Sequence, residues 1–171
     1  MRKLNLRGLL SVVLAALFLL GSLSAAGAET AAYKSTQSFI DELEREGIKY
    51  SLEGVDKDND ERVDVSYNMD YFESATVHVY FHQDGDKVSL RVWDVVKASS
   101  GKNFALNVIN KLNSDYKYVK YVFDESDNTI SGEMDMYIDE ATCGAPVRKA
   151  VQIMVREIDD EEVANQLKSV E

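Results

Sequence analysis

The 171-residue sequence has one cysteine, one proline and two histidines, and each scarcity excludes a class of protein. Because Cys143 stands alone, the chain can form neither an intramolecular disulfide nor a zinc site of several cysteines. The sequence also has no glycine-rich phosphate loop and no Gly-x-Ser-x-Gly turn of the kind that presents a nucleophilic serine. We therefore expect no cofactor, no metal and no catalytic residue.

Residues 1–28 have the three parts of a secretory signal. The positive residues are Arg2, Lys3 and Arg7, the apolar run extends from Leu9 to Leu20, and the small residues before the cleavage site are Ala26, Gly27 and Ala28. This order predicts export and cleavage after Ala28. The alternative is a retained membrane anchor, because the apolar stretch extended to Ala28 approaches the ~20 residues that span a bilayer.

The charge of the rest of the chain is strongly negative. Residues 1–28 carry three positive charges and no negative one, so without them the formal charge of −11 becomes −14. A surface of this sign repels phosphate backbones and anionic lipid headgroups, which argues against nucleic acid and membrane as partners of the mature protein. We expect a periplasmic or secreted protein in which residues 29–171 form one domain.

The pattern of apolar residues predicts an α+β fold. A first helix follows Ser35 or Ser38 as N-cap and ends at Gly47, a second contains Ala105 to Leu112, and a third begins near Pro146. Between them, apolar and polar residues alternate with the period of strands that bury one face. We predict an antiparallel sheet with three helices packed on one side.

Two turns define hairpins in this sheet. Asp84-Gly85 lies between two alternating runs, and glycine tolerates the positive φ that a tight turn needs. The polar residues Asp124 to Asn128 separate a second pair of alternating runs in the same way.

A cation site is one alternative function. Asp56, Asp58 and Asp60 resemble the start of a calcium loop, in which oxygens at alternate positions surround the ion. The sixth position should be glycine and is Glu61, and the twelfth should be glutamate and is Tyr67. We interpret the run as a solvated hairpin turn, with weak cation binding as the alternative.

The remaining candidates for chemistry are two histidines and one thiol. His78 and His82 point the same way on one strand but lie about 13 Å apart along it, too far to share a metal, and we expect both to be exposed. Cys143 precedes the last helix, where free backbone amides could lower its pKa. A thiol-dependent enzyme or redox protein is thus the second alternative function, set against simple packing of a buried cysteine.

Three aromatic residues are the candidates for partner binding. Trp93, Tyr118 and Tyr137 fall out of phase with the apolar faces of their predicted strands. Exposed aromatic side chains contribute strongly to protein interfaces. We expect a recognition patch if the three cluster on the outer face of the sheet.

Four segments between residues 35 and 165 resemble the YbjN-like domain family. They are Phe39-x-x-x-Leu43-x-x-x-Gly47-Ile48-x-Tyr50, Val88-x-Leu90-x-Val92, Val108-Ile109-Asn110-Lys111-Leu112-Asn113, and Val119-x-Tyr121-x-Phe123-Asp124 up to Ile130. Asn110 and Asn113 fit the family's Asn-x-x-Asn helix end, where they have a local interpretation as caps.

The resemblance implies a fold like that of type III secretion chaperones, assembly into homodimers and no enzymatic activity. Members of the family are described as regulators of sensory transduction or as chaperone-like. A secretory signal does not suit a chaperone that meets its client before export. We therefore expect a non-enzymatic exported adaptor that engages a protein or peptide partner.

Overall fold

The computed structural model describes residues 30–171, so the predicted signal segment lies outside the described part of the chain. Ala31–Glu171 forms one compact unit. The elements follow in this order: α1 (Lys34–Arg45), β1 (Ser51–Val55), β2 (Glu61–Asn68), β3 (Ser74–Phe81), β4 (Lys87–Lys97), α2 (Lys102–Asp115), β5 (Lys120–Asp124), β6 (Thr129–Tyr137), α3 (Gly144–Ile158) and α4 (Glu161–Lys168).

The six strands form one antiparallel sheet in the order β1-β2-β3-β4-β6-β5. The predicted α+β class is confirmed. Glycine and asparagine at positive φ make both predicted hairpin turns, Gly85 between β3 and β4 and Asn128 between β5 and β6.

The helices pack on the apolar face of this sheet, as predicted. The strands contribute Val63, Val65, Val77, Val79, Phe81, Val88, Leu90, Val92 and Ile130 to a single core, and the helices contribute Phe39, Leu43, Leu112, Val147, Val151, Met154, Val163 and Leu167. The rings of Phe39 and Phe81, one from each layer, have centroids 5.6 Å apart. The opposite face of the sheet, which we call the outer face, is uncovered by these helices.

The first helix ends as predicted but begins differently. Gly47 has φ +67°, and Ile48 N–H donates to the Leu43 carbonyl oxygen at 2.9 Å, which is a Schellman ending. At the other end Ser35 and Ser38 lie inside α1, so the predicted serine cap is wrong. The buried Glu61 carboxylate of β2 accepts instead from the backbone N–H groups of Ala32 and Tyr33, at 2.7 and 2.9 Å.

The prediction of three helices is also wrong, because a fourth follows α3. Asp160 interrupts the helical chain and caps α4, its side chain accepting from the N–H groups of Glu162 and Val163 at 3.0 and 3.3 Å. The apolar residues of α4 complete the core. Within residues 30–171 no helix is long and apolar enough to span a membrane.

Candidate partner-binding surface

Charged and polar side chains form a row across the outer face. Asp64 of β2 is the register partner of His78 in β3, His78 of Arg91 in β4, and Arg91 of Glu133 in β6. Asp64 Oδ1 lies 2.8 Å from His78 Nδ1, and Arg91 reaches Glu133 at 4.0 Å. Opposite charges directly across a sheet stabilise it, so the middle of this face is a paired and half-buried network.

Asp135 extends this network beyond the row. Arg91 Nη2 lies 2.9 Å from its carboxylate. Burial opposes ionisation of Asp135, but hydrogen bonds from Ser89 and Arg91 and the positive charge of Arg91 outweigh it and keep the pKa of this carboxyl below its usual value.

His82, directly after β3, lies between the side chains of Asp60 and Ser89. Its Nδ1 lies 2.8 Å from Asp60 Oδ1, and its Nε2 lies 2.9 Å from Ser89 Oγ. This connectivity is that of a serine, histidine and carboxylate relay. However, Ser89 is only 5% exposed, which keeps a substrate from its hydroxyl. We interpret the three residues as a cross-strand hydrogen-bond chain, and the expectation that both histidines are exposed is wrong, because each is half-buried beside an aspartate.

Strand β4 is interrupted between Val92 and Val96. These two residues pair with Gly132 and Ile130 of β6, so the three residues Trp93 to Val95 stand opposite Ser131 alone. Asp94 has φ +53°, a conformation uncommon outside glycine, and its N–H donates to Ser131 Oγ at 3.1 Å. The alternation of β4 places Trp93 on the outer face at the start of this bulge, and the residue is 46% exposed.

The same interruption separates β4 from β3. The two strands pair only from Phe81↔Val88 to His78↔Arg91, although β3 begins at Ser74 and pairs with β2 over its whole length. A cavity of about 240 Å³ occupies the place of the missing pairs. We call it the β3–β4 gap; it is lined by Met69, Phe72, Ser74, Ala75, Thr76, His78, Val92, Trp93, Asp94, Val95 and Ile158.

The loop before β3 forms one wall of the gap and is held firmly. The Asp159 carboxylate accepts from the N–H groups of Asp70 and Tyr71 at 2.7 and 2.8 Å. Lys168 Nζ donates to the Tyr71 carbonyl and lies 5.1 Å from the centroid of the Phe72 ring. The junction of α3 and α4 and the last residue of α4 therefore hold residues 70–72 beside the gap.

The three predicted aromatic residues are all exposed but do not meet. Trp93 and Tyr137 project from the outer face, yet Tyr137 pairs with Lys87, six residues from Trp93, which corresponds to roughly 20 Å along β4. Tyr118 lies before β5, in the connection from α2, and lines a separate cleft of about 440 Å³ with Ile153 and Arg156. Their exposed fractions are 46%, 65% and 83% for Trp93, Tyr118 and Tyr137.

Trp93 has a polar anchor that the other two lack among the described residues. Its indole N–H donates to the Tyr80 hydroxyl at 3.5 Å. Tyr80 pairs with Ser89, which precedes Trp93 by four residues on β4. The Trp93–Tyr80 hydrogen bond therefore runs diagonally across the sheet, past the pair formed by His78 and Arg91. This long hydrogen bond orients one edge of the indole, and the exposed 46% of the residue is open for contact.

Cys143 lies in the core. The thiol is 1% exposed and donates to the Ser35 carbonyl at 3.3 Å, where α1 and α3 cross. Burial raises the pKa of Cys143. This geometry favours the packing interpretation over a reactive thiolate.

The acidic run forms the turn between β1 and β2. Asp56 Oδ1 accepts from the N–H groups of Asp58 and Asp60 at 2.8 and 3.0 Å, and Asn59 adopts φ +63°. Within residues 30–171 no three His, Cys, Asp or Glu side chains converge as metal ligands. The cation alternative stays a prediction, for which a rise in melting temperature in millimolar calcium is the test.

The β3–β4 gap was not predicted from the sequence, although the sequence carries one signal for it. Val88, Leu90, Val92 and Val96 alternate inward, and Asp94 stands where this alternation requires an apolar residue. A charged residue at such a position indicates that the strand is interrupted.

The comparisons do not identify a family. No protein-family model matches the chain, and no curated protein resembles it closely enough to count as a relative. The resemblance to the YbjN-like family therefore stays a prediction.

Proposed function

We propose that the protein is a non-enzymatic, exported binding or regulatory module that engages a protein or peptide partner through the outer face around Trp93. One observation carries this proposal: the only tryptophan is exposed at a bulge, oriented by Tyr80, beside a cavity. Tryptophan is among the residues that contribute most to protein interfaces when a partner buries them. The resemblance to YbjN-like regulators supports the same class of function.

Charge supports a selective interface at this place. The paired network of Asp64, His78 and Arg91 leaves few free charges at the centre of the outer face, and interface centres are depleted in unpaired charge. The strongly negative remainder of the surface would steer a cationic partner toward it.

The test is capture of a partner by matched variants of residues 29–171. Trp93→Ala, Tyr118→Ala and Tyr137→Ala each remove one exposed aromatic ring, and none of the three rings is buried in the core. After crosslinking in the native envelope fraction, we expect a stoichiometric partner with the wild type and its loss with Trp93→Ala alone. Equal recovery by all four proteins, or no partner in any growth condition, contradicts the proposal.

We also propose that the module assembles as a homodimer, which the family resemblance implies. Sedimentation equilibrium of residues 29–171 should give twice the monomer mass at micromolar concentration. A monomer mass at all concentrations contradicts this assembly.

A further inference from the structure

The β3–β4 gap exposes main-chain hydrogen-bonding groups. His82 N–H donates to the Lys87 carbonyl at 3.2 Å, which makes these two residues a hydrogen-bonded pair. In an antiparallel ladder such pairs recur at every second residue, so Tyr80 and His78 direct their backbone groups toward β4. Thr76 and Ser74 come next in this alternation, and they have no register partner on β4.

These groups belong to a strand that is otherwise complete. Ala75 and Val77 alternate with them and direct their N–H and C=O groups to β2, where pairing continues to Asn68↔Ser74. Thr76 and Ser74 thus present a short free edge in the interior of the sheet. Such an edge is a template for an added strand.

The gap also offers space for one side chain. Its volume of about 240 Å³ lies below the roughly 300–1,000 Å³ of sites that enclose drug-sized ligands. The lining is mixed: Met69, Phe72, Val95 and Ile158 supply apolar atoms, Ser74, Thr76, His78 and Asp94 supply polar ones, and Trp93 stands at the border. A single aromatic side chain suits these dimensions and this mixed lining.

Besides the Lys168 ammonium, which lies over the Phe72 ring, two carboxylates stand at the border of the gap. Asp94 lines it, and Glu73 lies between the lining residues Phe72 and Ser74. Within residues 30–171 neither carboxylate has an ion pair with Lys, Arg or His. Positive residues on either side of an aromatic side chain would complement these two charges.

We propose that the gap binds an extended segment of a cationic protein partner, which pairs its backbone with Thr76 and Ser74 and inserts one aromatic side chain beside Trp93. This inference rests on the proposed function and specifies the partner's chemistry. Main-chain pairing gives the affinity, and the pocket and the border charges give the selectivity.

The experiment uses a fluorescein-labelled nonapeptide of alternating lysine and valine with a central phenylalanine, titrated with residues 29–171. Three control peptides replace lysine by aspartate, replace phenylalanine by alanine, or carry N-methyl groups on the two amides that flank the phenylalanine. By fluorescence anisotropy we expect binding of the first peptide and a loss of roughly tenfold or more for each control. Equal binding of the N-methylated peptide contradicts strand pairing.

Variants of the protein test the same contact from the other side. Thr76→Pro removes the N–H directed into the gap and leaves the bonds of Ala75 and Val77 to β2, since proline is tolerated where a strand's N–H has no partner. Thr76→Val is its control, because it removes the hydroxyl bonded to Ser66 and keeps the N–H. We expect only Thr76→Pro to lose peptide binding.

Asp94→Asn gives a second test that does not depend on proline. Asparagine tolerates positive φ and lacks the charge, so binding of the lysine peptide should weaken. Asp84→Asn in the hairpin turn is the matched control and should bind as the wild type does. Unchanged binding in both Thr76→Pro and Asp94→Asn would overturn the docking site. If Trp93→Ala still abolishes capture of the native partner in that case, the proposed function stands and only the gap is excluded.

Discussion

Glu42 and Cys143 illustrate, at the scale of the residue, how the crossing of α1 and α3 sets side-chain chemistry. Glu42 accepts hydrogen bonds from Arg45 of its own helix and from Arg148 of α3, at 2.7 Å each. The Cys143 thiol, just before α3, is buried at the same crossing. The carboxylate is stabilised in its charged form, and the thiol is stabilised in its neutral form. The lowered pKa of Glu42 and the raised pKa of Cys143 can both be tested on the purified protein alone.

The thiol of Cys143 should be unreactive in the folded protein. Because burial raises its pKa, we expect slow reaction with an aromatic disulfide reagent at pH 8 and complete reaction after unfolding in guanidinium. The unfolded sample serves as the control for the reagent. Rapid stoichiometric labelling of the native protein would favour the thiol-dependent alternative.

The stability given by Glu42 should depend on pH. Hydrogen bonds from Arg45, and next from Arg148, lower the pKa of Glu42 on folding. Its contribution is therefore present above the ordinary pKa of glutamate and is lost as the pH falls through the lowered value. We expect Glu42→Gln to be less stable than the wild type at pH 7 in urea titrations, and the difference to shrink on acidification.

Glu73→Gln is the control for that measurement. Glu73 is exposed and has no ion pair among residues 30–171, so its replacement should change stability little at any pH. A Glu42→Gln difference that stayed constant from pH 7 to pH 3 would contradict the ion-pair explanation.

At the scale of the element, Asn113 connects α2 to the edge strand β5. Its amide donates to the Tyr121 carbonyl at 2.9 Å and accepts from the Tyr121 N–H at 2.7 Å. The predicted role as a helix cap is wrong for this residue, since the amide occupies the place of a neighbouring strand. The Tyr121 N–H and carbonyl on this edge are thereby satisfied, which removes two groups that could pair with another chain.

Asn113→Asp should destabilise the protein although the side chain keeps its shape. A carboxylate cannot donate to the Tyr121 carbonyl, so one hydrogen bond is replaced by repulsion between oxygens. We expect a loss of about 1–3 kcal/mol in the free energy of unfolding, measured in urea. Asn110→Asp is the control, because Asn110 is exposed, and an equal loss in both variants would contradict this role.

Gly144 sets the distance between α1 and α3. A Cβ atom at this position would lie 2.3 Å from the Ser38 carbonyl oxygen and 2.9 Å from Glu42 Cβ. Gly144→Ala should therefore cost about 1–3 kcal/mol of stability, despite the higher helix propensity of alanine. Gly132→Ala should cost less, because its nearest atoms are the mobile ends of Ile158 and Val119; thermal unfolding of both variants tests this order.

At the scale of the whole molecule, the predicted localisation outside the cytoplasm depends on residues 1–28 acting as a cleaved secretory signal. We expect residues 1–171 produced in a bacterial host to appear outside the cytoplasm with an intact mass that begins at Glu29. Ala26→Arg together with Ala28→Arg should block cleavage, because signal peptidase requires small residues there. A full-length mass in the cytosolic fraction would contradict export.

The sequence by itself determined the fold class, because alternation of apolar and polar residues is a local property. The runs Val77-x-Val79-x-Phe81 and Val88-x-Leu90-x-Val92, with Asp84-Gly85 between them, carry their period and their turn without any distant contact. Gly47 ended α1 for the same reason, since its positive φ is a preference of the residue itself. These features could be predicted because each depends on residues that are close together in the sequence.

Only the tertiary structure decided the candidate site. The β3–β4 gap exists because β4 stays paired with β6 on both sides of the bulge at Asp94, while β3 stays paired with β2. The periodicity of a sequence does not show where two neighbouring strands separate. Three other contacts also depend on sheet register and helix packing. They are the contact of His82 with Asp60, the capping of α1 by Glu61, and the hydrogen bonds of Asn113 to the backbone of Tyr121. Such contacts depend on positions in space, which are set when the layers pack and not by the neighbours of a residue in the sequence.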